Sequence, residues 1–181
     1  MSRVLTVGHG TLGQEELASL LTEAGVERVV DVRRSPGSRR SPHVGRKRLV
    51  AWLPEEGIGY RWEPRLGGRR SRASGSPHTA LTDAAMQGYV DHLDTSEAAD
   101  ALAELLGETS ERRTALMCAE SDWRRCHRRL IADELVLVRD TDVHHLRHDG
   151  GLEPHVASAT ARVVAGRVIH DGGEPGLGLD V

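Results

Sequence analysis

Between Cys118 and Arg129 the chain reads CAESDWRRCHRR, gathering both of its cysteines, two carboxylates, a tryptophan, a histidine and four arginines. A thiol at the end of a strand, beside arginines and a helix start, is a nucleophile whose pKa falls. Cys118 to Arg124 also has the Cys-X5-Arg spacing of loops that cradle phosphate. Against that, the loop lacks the glycines that let successive N–H groups converge on an oxyanion, and Glu120 and Asp122 repel one. A cysteine-based phosphatase or sulfurtransferase using Cys118 is therefore one alternative, and a buried structural Cys118 is another. The carboxylates offer different chemistry. Glu120 and Asp31 each lie just past, or at the end of, an apolar run. Such a pair can activate water or stabilise a developing oxocarbenium ion; the plain alternative is ion pairing with neighbouring arginines. Cys118, Cys126 and His127 also carry metal-ligating atoms. The spacing C-x7-C-H matches no standard zinc knuckle, and a fourth ligand must come from afar, such as His9 or His145. No metal and no cofactor is expected.

These groups need elements to position them. Thr114–Cys118 has the length and composition of a buried strand, and Ile131, Leu135 and Val138 follow at helical spacing with Leu130 beside them. A strand, a reactive turn and a helix start form the usual place for a site in an open α/β sheet, because free N–H groups there favour anions. Upstream, Arg3–Val7 reads as a strand ending in Gly8-His9-Gly10-Thr11. Residues 14–24 form an amphipathic helix, and Arg28–Val32 is a strand ending in Asp31, Arg33 and Arg34. Further strands are expected at 59–62 and 142–146, and further helices at 46–55, 82–93 and 96–106. The last of these takes Ser96 as its cap and Gly107 as its stop. ARVVAGRVIHD, near the end, reads as a hairpin or an edge strand. This rhythm predicts an α/β fold of three layers: a mostly parallel five-stranded sheet with helices on both faces. The 181 residues are read as a single α/β domain, with about 172–181 a loose C-terminal tail. No apolar run approaches a membrane span and no signal segment opens the chain, so a cytoplasmic protein with reduced thiols is expected.

Charge is distributed unevenly. From Arg33 to Arg72 there are twelve Lys+Arg against three acids, while the whole chain has a formal net charge of −3. Two long loops, SPGSRRSPHVG and LGGRRSRASGSPHT, carry much of that basic excess. Loops of such length inside a compact domain are functional or disordered. A basic face on an acidic body is the footprint of a polyanion binder, with a solvated arginine-rich loop as the plain alternative.

The motifs GHGT, VDVRRSPGSRR, LGGRR, LMCAESDWRRCHRRLIADEL and LEPH, in that order, resemble the domain-of-unknown-function 488 family. The resemblance covers nearly the whole chain. It implies a compact α/β domain with an enzyme-like cluster of Cys, His, Arg and Glu, implies no settled reaction, and gives a faint link to modified-base DNA.

The residues taken together suggest a nucleic-acid-directed hydrolase, a candidate DNA N-glycosylase excising a modified base, since base removal needs a basic cradle, an extruded base and few catalytic groups. Glu120, Asp31, His127 and Cys118 form the candidate catalytic set. His9, Thr11, Arg33, Arg34, Arg39, Arg40, Arg69, Arg70, Trp123, Arg124 and Arg128 are the candidate nucleic-acid and phosphate contacts. Trp123, in a polar turn, is expected to be exposed and either to stack a base or to cover the adjacent helix. DNA is the favoured partner. A non-enzymatic nucleic-acid-binding module is the remaining alternative.

Overall fold

The computed structural model of the chain describes residues 3–37 and 39–173; most of the expected C-terminal tail, 174–181, lies outside them. Strands β1 (Arg3–Gly8), β2 (Arg28–Asp31), β3 (Gly59–Trp62), β4 (Thr114–Cys118) and β5 (Asp142–Leu146) form a parallel sheet. A sixth strand, β6 (Leu152–Pro154), pairs antiparallel with β5, giving the order β3-β2-β4-β1-β5-β6. The five expected strands are present; β6 adds one. It is three residues long and exposed at both ends, too short for a period-2 pattern to register. The ARVVAGRVIHD stretch is a separate hairpin of β7 (Ala161–Val164) and β8 (Arg167–His170).

Alternation along the strands divides the core between the two faces. Leu5, Val7, Ala115 and Met117 meet α1 (Gln14–Glu23) and α2 (Arg46–Trp52) through Leu17, Leu21, Leu49 and Trp52. Val4, Val30, Leu116 and Cys118 meet α3 (Ala84–Leu93), α4 (Ser96–Glu111) and α5 (Arg128–Leu137) through Tyr89, Leu102, Leu130 and Ile131. The molecule is thus a three-layer α/β structure with helices on both faces. Cys118 belongs to the α5 face, which fixes the direction of its thiol.

The helix ends differ from expectation in α4. Thr95, not Ser96, caps it, its hydroxyl accepting from the Ala98 N–H at 3.3 Å. Gly107 does not stop it: the helix runs on to Glu111, because Thr109 is buried and keeps the last turn on the core. Asp83 caps α3, accepting from the Ala85 N–H at 2.7 Å. Gly88, inside α3, lies under the second basic loop; a Cβ there would overlap the backbone of Arg70 and Ser71. Among the described residues no helix is long and apolar enough to cross a membrane.

Candidate functional site

β4 lies between β1 and β2, so the carboxyl ends of three central strands meet at one edge. Gly8 is in register with Cys118, and Asp31 with Met117. Pairing continues past the strands: the His9 N–H donates to the Cys118 carbonyl and the Gly10 N–H to that of Ala119, each at 2.9 Å. Gly8 permits this close approach. A Cβ there would overlap the Glu120 carbonyl and come within 2.8 Å of the Arg128 guanidinium. We expect Gly8→Ala to destabilise the protein by about 1–3 kcal/mol, as overpacking does, measured by denaturant unfolding; an unchanged midpoint would mean that the loop after β4 is free to move.

The edge opens into a cleft of about 570 Å³ lined by His9, Arg33, Arg34, Ser35, Gly68, Arg69, Cys118 and His127. A second lobe of about 650 Å³ shares Arg69, Cys118 and His127 and adds Thr11, Tyr89, Glu120, Arg125 and Cys126. Of the candidate catalytic residues, Cys118 and His127 face both lobes and Glu120 faces the second. Asp31 faces neither. It is fully buried beneath Arg33, whose Nε and Nη2 donate to its two oxygens at 2.8 and 2.6 Å, and the Tyr60 hydroxyl donates to it at 2.8 Å. The buried carboxylate and the desolvated phenol position together hold the Tyr60 proton well above the usual range, with burial the largest cause. Arg33, locked in this way, directs Nη1 at His9 Nε2, 3.2 Å away. The Nδ1 of His9 lies 3.0 Å from its acceptor, the Gly10 carbonyl. Burial, followed by Arg33, lowers the His9 pKa to about 4, so His9 meets the cleft as a neutral ring.

Cys118, Cys126 and His127 converge on the cleft floor. His127 Nε2 lies 3.1 Å from the Val32 carbonyl, so this nitrogen carries the hydrogen in the neutral ring and leaves the Nδ1 lone pair facing both sulfurs. Cys126 Sγ is 3.6 Å from that nitrogen and Cys118 Sγ is 3.9 Å from it. The two thiols act on each other. Donation from Cys118, with the Arg128 guanidinium close by, favours the Cys126 thiolate and pulls its pKa well below the usual thiol range, while the same pairing and burial push Cys118 up.

Arg128 opens α5 but turns inward, almost wholly buried. Its guanidinium donates to the Glu120 carbonyl, to Cys126 Sγ at 3.4 Å and to Thr6 Oγ1 at 3.4 Å. From Thr6 a buried chain runs on. Thr6 Oγ1 meets His145 Nδ1 at 2.7 Å, His145 Nε2 meets His155 Nδ1 at 3.0 Å, and His155 Nε2 meets Asp133 Oδ1 at 3.0 Å. Asp133 can only accept, so His155 carries its hydrogen on Nε2, His145 on Nε2 also, and Thr6 donates to His145. One direction of donation thus runs from Arg128 to Asp133, holding the loop after β4 in place. Trp123 stacks on His145 with ring centroids 3.8 Å apart.

This arrangement fixes a pH dependence. Burial, followed by His155 and Arg128, lowers the His145 pKa from 6.5 to about 2. Below pH 6.5 the unfolded chain takes up a proton there that the folded chain refuses, so His145 contributes stability above that pH and loses it as pH falls. We expect stability to decline from pH 6.5 toward 5, with His145 supplying no more than about 1.4 kcal/mol per pH unit. His145→Gln is expected to flatten the slope in urea unfolding; an equally steep variant would show that other groups set it.

The remaining candidates divide by partner. Trp123, expected to be exposed, is buried between His145 and Arg124, whose guanidinium lies 4.4 Å from its ring, and has no free face for a base. Arg124 itself pairs with Glu153, so the Cys-X5-Arg spacing does not bring this guanidinium to Cys118. Arg128 is interior, held by the contacts above, and Arg70 donates to the carbonyls of Gly67, Pro64 and Arg65. Arg61 and Arg65 are tied to Glu63, and Arg65 also to Glu104 at 2.6 Å. In contrast, Arg34, Arg69 and Arg125 face the cleft with no carboxylate partner among the described residues, and Arg39 and Arg40 are exposed on the first loop. Thr11 is exposed at the rim of the second lobe. Sequence reasoning counted Arg125 in the basic cluster without choosing it as a contact, named His145 only as a distant metal ligand, and missed Tyr60 and the Thr6–His145–His155–Asp133 chain. The one local signal was a charged Asp133 set inside the apolar stripe of α5.

No curated protein and no solved structure matches the chain. The family described as domain of unknown function DUF488 matches it over residues 14–135. That span holds Asp31, both basic loops, the whole of β4 and the cluster from Cys118 to Arg128; β1 with Thr6, β5 with His145, and His155 fall outside it. Since it takes in well over half of the chain, the protein belongs to the DUF488 family.

Proposed function

We propose that the protein is a nucleic-acid-directed hydrolase, acting as a DNA N-glycosylase on a modified base. One observation carries this reading. Three arginines facing the cleft, Arg34, Arg69 and Arg125, lack the carboxylate partners that Arg61, Arg65 and Arg124 have, while a fourth, Arg33, is held by Asp31. Unpaired guanidiniums around a concave site are suited to phosphates. They are spread over both lobes and continue onto Arg39 and Arg40, which is more basic surface than a mononucleotide requires.

In this reading the phosphates on either side of the target lie against Arg34, Arg69 and Arg125, and the extruded base enters the cleft over Cys118 and His127, which line both lobes. Glu120, exposed and free of any ion pair among the described residues, assists cleavage as the general acid or base. Asp31 acts through Arg33, which it holds in place, and does not touch the substrate. A second reading, a small-molecule enzyme using Cys118, is favoured by the position of this thiol beside His127 on the cleft floor.

The test is a screen of the wild type on duplexes carrying different modified bases, scored as strand breaks after alkali. The glycosylase reading expects breaks at one modified position and none in the unmodified duplex. Breaks at no position, with tight binding retained, would make the protein a binding module. Turnover of an aryl phosphate or thiosulfate, lost on Cys118→Ala, would favour the second reading.

A further inference from the structure

We infer that Cys118, Cys126 and His127 form a zinc site whose fourth coordination position opens into the cleft. The inference stands on side-chain geometry and is independent of what the cleft binds.

The three ligand atoms lie within 4.8 Å of one another. A tetrahedral zinc ion with Zn–S of about 2.3 Å and Zn–N of about 2.0–2.1 Å places its sulfur and nitrogen ligands roughly 3.6 Å apart. Here the two sulfurs stand 3.6 and 3.9 Å from His127 Nδ1. The ring is set for ligation, because its other nitrogen is 3.1 Å from the Val32 carbonyl. A backbone acceptor of that kind fixes the tautomer and orientation of a metal-bound histidine.

Charge supports the same assignment. Two thiolates balance a divalent ion. Arg128, buried 3.4 Å from Cys126 Sγ with no carboxylate partner among the described residues, leaves one positive charge over. That excess suits an anionic fourth ligand, a hydroxide or a substrate oxygen. Cys118 and His127 line both lobes and Cys126 the second, so such a ligand arrives from the cleft. Three protein ligands with one free position is the arrangement of zinc sites that bind water or substrate. Soft sulfur donors select zinc over magnesium or calcium. The C-x7-C-H spacing hides the site because a strand end supplies one ligand and the start of the next helix the other two.

The test uses the full chain, purified under reducing conditions without chelator or a metal-affinity step. Elemental analysis is expected to find about one zinc per chain. Cobalt(II) added to the chelator-stripped protein is expected to give a thiolate-to-cobalt charge-transfer band and intense visible bands of tetrahedral cobalt, both abolished by added zinc. Cys126→Ser and His127→Ala, checked for folding by circular dichroism, are each expected to weaken zinc binding at least ~100-fold, the upper end for loss of an outer-shell partner. Folded wild type that carries no zinc and shows no charge-transfer band with cobalt would overturn the site whatever the variants do. So would a Cys118–Cys126 disulfide in the freshly purified protein.

Discussion

Glu120→Gln is expected to lower turnover on a duplex carrying the cognate modified base by about 10²–10⁴, the range for loss of a general acid or base, while leaving fold and DNA affinity intact. Glu120 is exposed and faces the second lobe, and its carboxylate accepts from the Asp122 N–H at 3.2 Å within its own turn. Nothing in the core depends on it, so stability should change by less than about 0.5 kcal/mol, as at ordinary surface positions. Asp31→Asn is the contrasting case. That carboxylate is fully buried and holds Arg33 through two oxygens. Neutralising it leaves a buried guanidinium without its anion, and breaking such a pair costs about 3–5 kcal/mol. The two variants should therefore separate in different assays: Glu120→Gln in single-turnover base release, Asp31→Asn in denaturant unfolding. A fully active Glu120→Gln would remove the carboxylate from the chemistry.

The second large effect concerns binding. A variant with Arg34, Arg69 and Arg125 all changed to alanine is expected to reduce the magnitude of the log K against log[salt] slope for duplex DNA by about 2.7, at ~0.9 for each lost phosphate contact. Arg65→Ala serves as the control. This guanidinium is bound to Glu63 and Glu104, each at 2.6 Å, so its loss should leave the slope unchanged. An equal effect from both variants would mean that the protein responds to net charge and not to contacts in the cleft.

Much of the fold was legible because its signals are local. RVLTV, RVVDV and TALMC are short apolar runs that alternate with helical patterns, and chain topology then gathers their ends at one edge. Side-chain direction was legible only in part. Asp31 and Glu120 look alike in sequence, each at the end of an apolar run. The pleat turns Asp31 into the core, where an arginine two residues on closes over it; Glu120 has already left the strand. The spacing of Arg124 from Cys118 suggested a shared phosphate cradle, yet a three-residue 3-10 turn at Trp123–Arg125 points this guanidinium at Glu153. Trp123 looked exposed for want of apolar neighbours in sequence. Its partner, His145, is on β5, across a helix and a loop. The chain from Arg128 to Asp133 draws on β1, β5, the segment after β6 and α5, so no local window contains it.

The most direct test of the hydrolase reading is mass spectrometry of both products after wild-type protein acts on the duplex identified by the screen. Hydrolysis of the N-glycosidic bond predicts the intact modified base in the small-molecule fraction and an abasic sugar in the strand, both formed about 10²–10⁴-fold more slowly by Glu120→Gln. A strand that keeps its base, with an exocyclic amino group replaced by oxygen or with no change at all, would contradict it.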